Sequence, residues 1–155
     1  MNVQHKEKGF TIIEVVLVLA IAGLIFLMVF IALPALQRNQ RDTARKADVS
    51  IVAGAVTSYT SNNRGLFPTS AQIVTYADNV SDNSKTAAGA PNVVVGTNTA
   101  SAAPADSQIV VTKGTKCGAA TITSAALTTT GATTRAFTVV TKLESGGGQF
   151  FCQES

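Results

Sequence analysis

The chain has 155 residues, of which 46% are hydrophobic and 14% charged, with a formal net charge of +3 and a mean hydropathy of +0.27. Because the large apolar residues are concentrated in the first quarter, the remainder is long enough for one modest globular domain. After about Tyr59 the sequence is dominated by Ala, Thr, Ser and Gly, which suits an exposed, uncharged surface. The small positive charge argues against nucleic acid as the main partner.

The sequence changes character at one peptide bond, between Gly9 and Phe10. Residues 1–9 (MNVQHKEKG) are short and basic, whereas residues 10–36 are almost wholly apolar and contain one carboxylate, Glu14. A helix over residues 10–36 would be about 40 Å long, more than the roughly 30 Å needed to cross the hydrocarbon core of a membrane. Since a charge inside such a segment is costly, Glu14 is a candidate functional residue.

Three simpler interpretations of this segment compete. A buried core helix is disfavoured, because so small a domain does not cover it on all sides. Cleavage of an ordinary signal peptide after Ala20-Ile21-Ala22 would leave an apolar new terminus from Gly23 to Leu36. A simple uncleaved anchor explains the length of the segment but not Glu14.

The sequence from Lys8 to Glu14 (KGFTIIE) resembles the start of a type IV prepilin, and the similarity extends through Gly23 to the stretch from Ala32 to Ala35. This resemblance implies that a prepilin peptidase cuts after Gly9 and methylates Phe10. It also implies a single-pass precursor in the cytoplasmic membrane, with the N-terminus inside, and then an extracellular fibre. A count of Lys and Arg at the two ends of the segment would give the opposite orientation.

Glu14 acquires a role from this resemblance. After cleavage it would lie four residues beyond Phe10, near the same end of one helix. The new α-amine, with a reference pKa of about 7.7 to 8.0, is mostly cationic at neutral pH and attracts a carboxylate strongly where water is excluded. We therefore expect Glu14 of one subunit to pair with the amine of a neighbour during assembly. The simpler alternative places the carboxylate at the level of the lipid headgroups.

Pro34 is expected to disturb the helix, because proline removes a backbone hydrogen bond and clashes with the preceding turn at a cost of about 3 kcal/mol. The sequence predicts a kink or local melting over residues 30–34. Type IV pilins are similar in carrying a proline in this half of the apolar segment, although Pro34 lies three residues later than is usual in the family. The alternative is a proline that simply ends the membrane span.

Residues 37–62 are predicted to continue the helix as its amphipathic half. Arg38 and Lys46 are each four residues from Asp42, a spacing that favours exposed ion pairs. Arg38, Arg41 and Arg45 are interpreted as a solvated face, or alternatively as a face toward acidic groups of a neighbouring subunit. The predicted buried stripe comprises Ala44, Ala47, Ile51, Ala55 and Tyr59, with Val52 and Val56 beside it.

Residues 63–108 are predicted to be a loop region. Gly65 is expected to end the long helix predicted over residues 10–62, and Thr69 or Ser70 to cap a short helix over residues 71–77. Turn-forming residues dominate positions 81–104, where one strand is predicted at residues 92–95.

Residues 109–155 are predicted to form a β-sheet region with short runs separated by Gly, Ser and Thr. A small antiparallel sheet packed on the helical stripe gives an α+β fold, as in type IV pilins. The predicted strands cover residues 109–112, 119–123, 136–143 and 149–152, and the last two are joined by a turn at residues 145–148.

Cys117 and Cys152 are the only cysteines, and an even count outside the cytoplasm favours a disulfide over two free thiols. Closing that loop would contribute about 4 kcal/mol. No catalytic residue, nucleotide site, cofactor or metal site is predicted; the Asp and Asn residues at positions 78–83 are interpreted as a polar turn, since their spacing fits no calcium loop.

We therefore predict a non-enzymatic structural subunit, a type IV pilin that polymerises through its N-terminal helix into a fibre for adhesion, motility or DNA uptake. The resemblance implies a homopolymer, an assembly platform and a separate motor ATPase as partners. One alternative is a pseudopilin or minor pilin of a type II secretion or competence system. Another is an uncleaved membrane-anchored binding protein, which would retain residues 1–9.

Overall fold

The computed structural model describes residues 9–77, 79–96, 101–102, 104–118, 125–128 and 135–155. The chain divides into two compact units, Met1–Gln37 and Arg38–Ser155, and helix α1 (Ile12–Asn62) contributes residues to both. A long N-terminal helix and a small C-terminal sheet confirm the predicted α+β class. The leader residues 1–8, Asp78 and the strand predicted at residues 119–123 lie outside the described residues.

The first unit exposes its apolar side chains. Phe10 is 90% exposed, and large apolar side chains remain exposed along α1 as far as Leu36. This part of α1 is apolar and long enough to cross a membrane, and none of that stretch is buried within the chain. Pro34 lies inside α1, which is helical on both sides of it, so the local melting predicted there is not present in the single chain. Whether the helix kinks or melts at this point in an assembly stays a prediction.

The second unit begins with the remainder of α1 and its predicted stop. The helix ends at Asn62, and the Gly65 amide donates to the Thr60 carbonyl at 2.8 Å. Arg64 and Gly65 both have positive φ, of 56° and 85°, which is the left-handed conformation that reverses the chain after a helix. Helix α2 (Ser70–Tyr76) follows with Thr69 as its N-cap, as predicted. A single 3₁₀ turn covers Asp82–Ser84.

The main sheet has four strands in the order β1-β3-β6-β7, and a second sheet has the order β2-β5-β4. Strand β1 pairs parallel to β3, whereas β3 with β6 and β6 with β7 are antiparallel. The predicted antiparallel pairing is confirmed for β3, β6 and β7, and the sheet is mixed because β1, whose pairing was not predicted, joins its edge in parallel. The strands are β1 (Val93–Gly96), β2 (Ser101–Ala102), β3 (Ile109–Lys113), β4 (Lys116–Cys117), β5 (Ala125–Thr128), β6 (Phe137–Lys142) and β7 (Phe150–Glu154).

The core lies between the second half of α1 and the four-stranded sheet. Val49, Val52 and Val56 of α1 pack in one cluster with Val111 and Val139 of the sheet. The opposite face of the sheet forms a smaller cluster that contains Leu127, Val140 and Phe150. Since strand side chains alternate between faces, β6 is buried on both sides.

The predicted helical stripe was correct at Val52, Ala55 and Val56 but wrong at Ala47, which is exposed. The buried face also includes three charged residues, Asp42, Arg45 and Asp48. It is rotated relative to the prediction because loops of the second unit supply hydrogen-bond partners for these charges, so they can be buried.

Candidate functional site

The predicted processing site lies on exposed backbone just before α1. Gly9 and Phe10 precede the first helical residue, Ile12, and both are exposed. A Cβ atom added at Gly9 would meet nothing within 4 Å. The bond after Gly9 is therefore sterically open to a peptidase, which the sequence alone did not establish.

Glu14 closes the N-terminus of α1. One of its carboxylate oxygens accepts hydrogen bonds from the Thr11 amide at 2.9 Å and from the Thr11 hydroxyl at 2.7 Å. Thr11 is three residues before Glu14, which is the spacing of a capping box, with Glu14 reaching back to the amide that begins the helix. Sequence reasoning missed this local role, although the pattern Thr11-Ile12-Ile13-Glu14 contains its signal.

Phe10 and Glu14 lie together, as the sequence predicted. They line the same shallow groove with three apolar side chains of α1, from Val15, Val18 and Leu19. In the single chain the Glu14 carboxylate therefore has a partner one turn away, while the groove beside it is open.

Comparison with known families gave one match at this end of the chain. Residues 4–30 match the family model described as the prokaryotic N-terminal methylation motif. This motif is the one found in class III signal peptides. No curated protein and no solved structure gave a significant match to the chain. The methylation motif is that of type IV pilin-like and pseudopilin precursors, so the predicted resemblance is confirmed for the segment that carries the processing residues.

The disulfide predicted for this pilin-like chain is present between Cys117 and Cys152, whose Cα atoms are 6.0 Å apart. Cys117 belongs to β4 in the small sheet, and Cys152 belongs to β7 at the edge of the large sheet. The bond therefore fastens the two sheets together close to the C-terminal strand.

Downstream of the methylation motif, an ion-pair network joins α1 to the turn between β6 and β7. Glu144 accepts from Arg41 at 2.7 Å and from Arg45 at 2.8 Å, and Arg45 also donates to the Lys142 carbonyl at 2.7 Å. The interpretation as a solvated face was therefore wrong for Arg45, whose side chain is 6% exposed, whereas the Arg41 side chain is 40% exposed. That these arginines face acidic groups of another subunit stays a prediction. Arg38 is exposed, as predicted.

Asp42 lies at the centre of this network and is 4% exposed. Its two carboxylate oxygens accept from the amides of Glu144 and Ser145, at 2.7 and 2.9 Å. Burial by itself opposes ionisation, but hydrogen bonds from Ser145 and Glu144 and the charge of Arg45 outweigh it, so the pKa of Asp42 lies below its ordinary value. The predicted pairs of Asp42 with Arg38 and Lys46 were wrong, and Lys46 instead lies over the Phe151 ring.

Asp48 joins α1 to the loop before β1. It accepts from the amide and hydroxyl of Ser81 and from the hydroxyl of Ser84, which is itself buried. These contacts bridge more than thirty positions of sequence. Among the described residues, no group of three or more His, Cys, Asp and Glu side chains is placed to hold a metal ion.

Proposed function

We propose that this chain is a structural subunit of a type IV pilus, cut after Gly9, methylated on Phe10, and polymerised through α1 into an extracellular fibre. The observation that carries the proposal is the methylation motif over residues 4–30, which includes the start of a helix whose large apolar side chains are exposed. Water disfavours such a surface, whereas a membrane and then a bundle of like helices would cover it.

The processing step would create the charge that the assembly step uses. Cleavage gives Phe10 a cationic amine, and the Glu14 carboxylate of an incoming subunit is its proposed partner. In the bundle this carboxylate would exchange its contact with Thr11 for an ion pair, and opposite charges attract more strongly once water is excluded. A separate motor ATPase would supply the energy for extrusion.

The mass of the mature chain tests the first half of the proposal. We expect a protein that lacks residues 1–9 and carries one added methyl group. A bulky Gly9→Leu variant should keep the leader, because the peptidase must approach this bond closely. Gly23→Leu is a matched control, since a Cβ at Gly23 also meets nothing within 4 Å. A mature wild-type chain that retains residues 1–9 would instead favour the uncleaved membrane-anchored binding protein.

A pseudopilin or minor pilin of a secretion or competence system would pass the same mass test, since it shares the methylation motif. Electron microscopy with an antibody to this chain separates the two. Long extracellular fibres labelled along their length support the major pilin. Labelling confined to the membrane or to one end of a fibre would favour the alternative.

A further inference from the structure

An open surface pocket lies where α1 ends, and four of its five lining residues are exposed. It has a volume of about 400 Å³ and is lined by Thr60, Ser61, Arg64, Gly65 and Arg135. Two of its five lining residues are arginines, and none is acidic. The turn that closes α1 contributes Arg64 to the lining of the pocket, and Arg135, two residues before β6, also lines it.

Neither arginine has an acidic partner in the part of the chain that the structure describes. The ion pairs there join Glu144 to Arg41 and Arg45, Asp82 to Lys85, and Asp106 to Lys142. Asp42 and Asp48 are occupied by the backbone and side-chain groups described above. The described carboxylates of the second unit are thus engaged elsewhere, and Glu154 accepts from the Cys117 amide at 3.3 Å.

The end of a helix normally repels anions, because its last carbonyl groups point outward. Here two of the last four carbonyls of α1, those of Tyr59 and Thr60, are occupied, and so is the carbonyl of Asn63 just beyond the helix. The Thr60 carbonyl accepts from Gly65, the Tyr59 carbonyl from the amide and side chain of Asn63, and the Asn63 carbonyl from Leu66. The side-chain hydrogen-bond donors in the lining that are not already engaged are the two guanidinium groups and the Ser61 hydroxyl.

A third cation lies close to the same end of the domain. Lys113 lies over the Phe67 ring, with its nitrogen 5.7 Å from the ring centre, and Phe67 contacts Phe137 edge to face. Phe137 is two residues after Arg135 and pairs with Lys113 across the sheet. The positive potential of the pocket is therefore reinforced by a neighbour that has no carboxylate partner among the described residues.

We propose that this pocket binds a tetrahedral oxyanion, the phosphate group of a free or polymeric phosphate ligand. Guanidinium groups donate paired hydrogen bonds that match the geometry of phosphate oxygens. Two arginines that line one pocket are able to donate to the same group. This binding is independent of whether the chain polymerises.

The test is a titration of the detergent-solubilised full chain with inorganic phosphate, followed by NMR of the arginine Nε–Hε groups. The chain has five arginines, so the signals can be assigned one by one from single substitutions. We expect the signals of Arg64 and Arg135 to shift together with one Kd, while that of Arg38 stays in place. Chloride at the same ionic strength should move none of them.

Variants sharpen the result. Arg64→Asn tolerates the left-handed backbone at this position, and Arg135→Gln changes an exposed side chain; each should weaken phosphate binding by about tenfold. Arg38→Gln removes the same charge from an exposed site outside the pocket and should leave the Kd unchanged. Arg64→Lys should bind phosphate more weakly than wild type but more tightly than Arg64→Asn.

Polyphosphate then distinguishes the two sources of the ligand. Tighter binding of polyphosphate than of phosphate, lost in the Arg64 and Arg135 variants, indicates a polymeric ligand, and equal binding indicates an isolated group. The proposal is overturned if phosphate shifts neither arginine signal. It is overturned equally if Arg38→Gln weakens binding as much as Arg64→Asn does, since net charge alone would then account for the effect.

Discussion

The two halves of α1 belong to one helix but obtain their stability from different places. Before Gln37 the large apolar side chains are exposed, and the one carboxylate, Glu14, finds its partner three residues away. After Gln37 the helix buries three valines and three charged residues against its own domain. Asp42 and Arg45 in this half contact residues about one hundred positions away.

The difference shows which charges serve folding and which remain for other molecules. Asp42, Arg45 and Asp48 are buried and form hydrogen bonds within the chain, so they are not available to bind another protein. Glu14 has only a local and exposed contact, which a stronger partner is able to displace. In the proposed subunit, the first half would therefore depend on a membrane or on other subunits to cover its apolar surface, whereas the second half packs against its own domain.

The largest expected effect comes from removing the charge of Glu14. Glu14→Gln keeps an oxygen that accepts from the Thr11 amide, so the capping box can survive, but it lacks the charge that attracts the Phe10 amine. We expect cleavage and membrane insertion to proceed and fibres to be absent or greatly reduced. Sheared fibre yield and the mass of the membrane-bound chain measure the two outcomes.

Thr11→Val is the matched control for Glu14, because it removes the hydroxyl contact and leaves the carboxylate charged. It should assemble nearly as well as wild type. Normal fibre yield from Glu14→Gln would show that capping, and not charge, is the role of Glu14, and the contrast between the two halves of α1 would then disappear.

The disulfide should give the next largest effect, and one confined to the second unit. Replacing both cysteines with serine removes the cross-link between residues 117 and 152, which is worth about 4 kcal/mol on the chain-entropy model. Both tyrosines of the chain, Tyr59 and Tyr76, lie in this unit with their rings 5.7 Å apart, so tyrosine fluorescence reports its unfolding. The midpoint of denaturation of the wild-type chain should fall when its disulfide is reduced. An equal midpoint for the oxidised and the reduced wild-type chain would contradict the prediction.

Local features of the fold were predictable because their signals lie close together in sequence. The stop at Gly65 and the cap at Thr69 each depend on a few neighbouring residues, as turns and helix ends usually do. The apolar run is one continuous segment, residues 10–36. The strands β3, β6 and β7 followed from β-favouring runs between turn formers. The glycine turn before β7 was also predicted, and its three glycines all have positive φ.

Features that depend on distant partners were not predictable in this way. Small alanines suggested one buried face for α1, but Asp42 and Asp48 fixed another, because each finds its hydrogen-bond donors in a remote loop. Nothing in the run from Val93 to Gly96 indicates that it pairs parallel to β3. The basic pocket likewise joins Arg64 to a residue about seventy positions later.

Asp42 gives a pH-dependent test of the second half of α1. Its pKa is lowered in the folded state, so its stabilisation is complete well above the ordinary aspartate pKa of about 3.9 and is lost as the pH falls below that value through the folded-state pKa. Asp42→Asn should lower the free energy of unfolding by about 2 to 3 kcal/mol at neutral pH. The NH₂ group of the asparagine would face one of the two backbone amides that now donate to Asp42, so that amide would lose its acceptor. The loss should shrink toward acid pH in denaturation monitored by tyrosine fluorescence.

Asp82→Asn is the control for this pH dependence, since the Asp82 side chain is 96% exposed and pairs with Lys85 on the surface. It should leave the acid limb of the stability curve almost unchanged. If Asp42→Asn and wild type lost stability in parallel on acidification, the buried carboxylate would not be the group that titrates.

The smallest expected effect is a difference in stability between variants of Arg41 and Arg45, which both pair with Glu144. The Arg45 side chain is 6% exposed and donates to the Lys142 carbonyl as well as to Glu144, whereas the Arg41 side chain is 40% exposed. Arg45→Met keeps the apolar stem but leaves a buried acceptor unpaired, so it should cost about 2 kcal/mol. Arg41→Met should shift the denaturation midpoint less, and high salt should remove much of that shift, because an exposed pair is screened. Equal midpoint shifts for the two variants would mean that burial of an arginine does not decide how much it contributes to stability. The network would then act only through the net charge around Glu144.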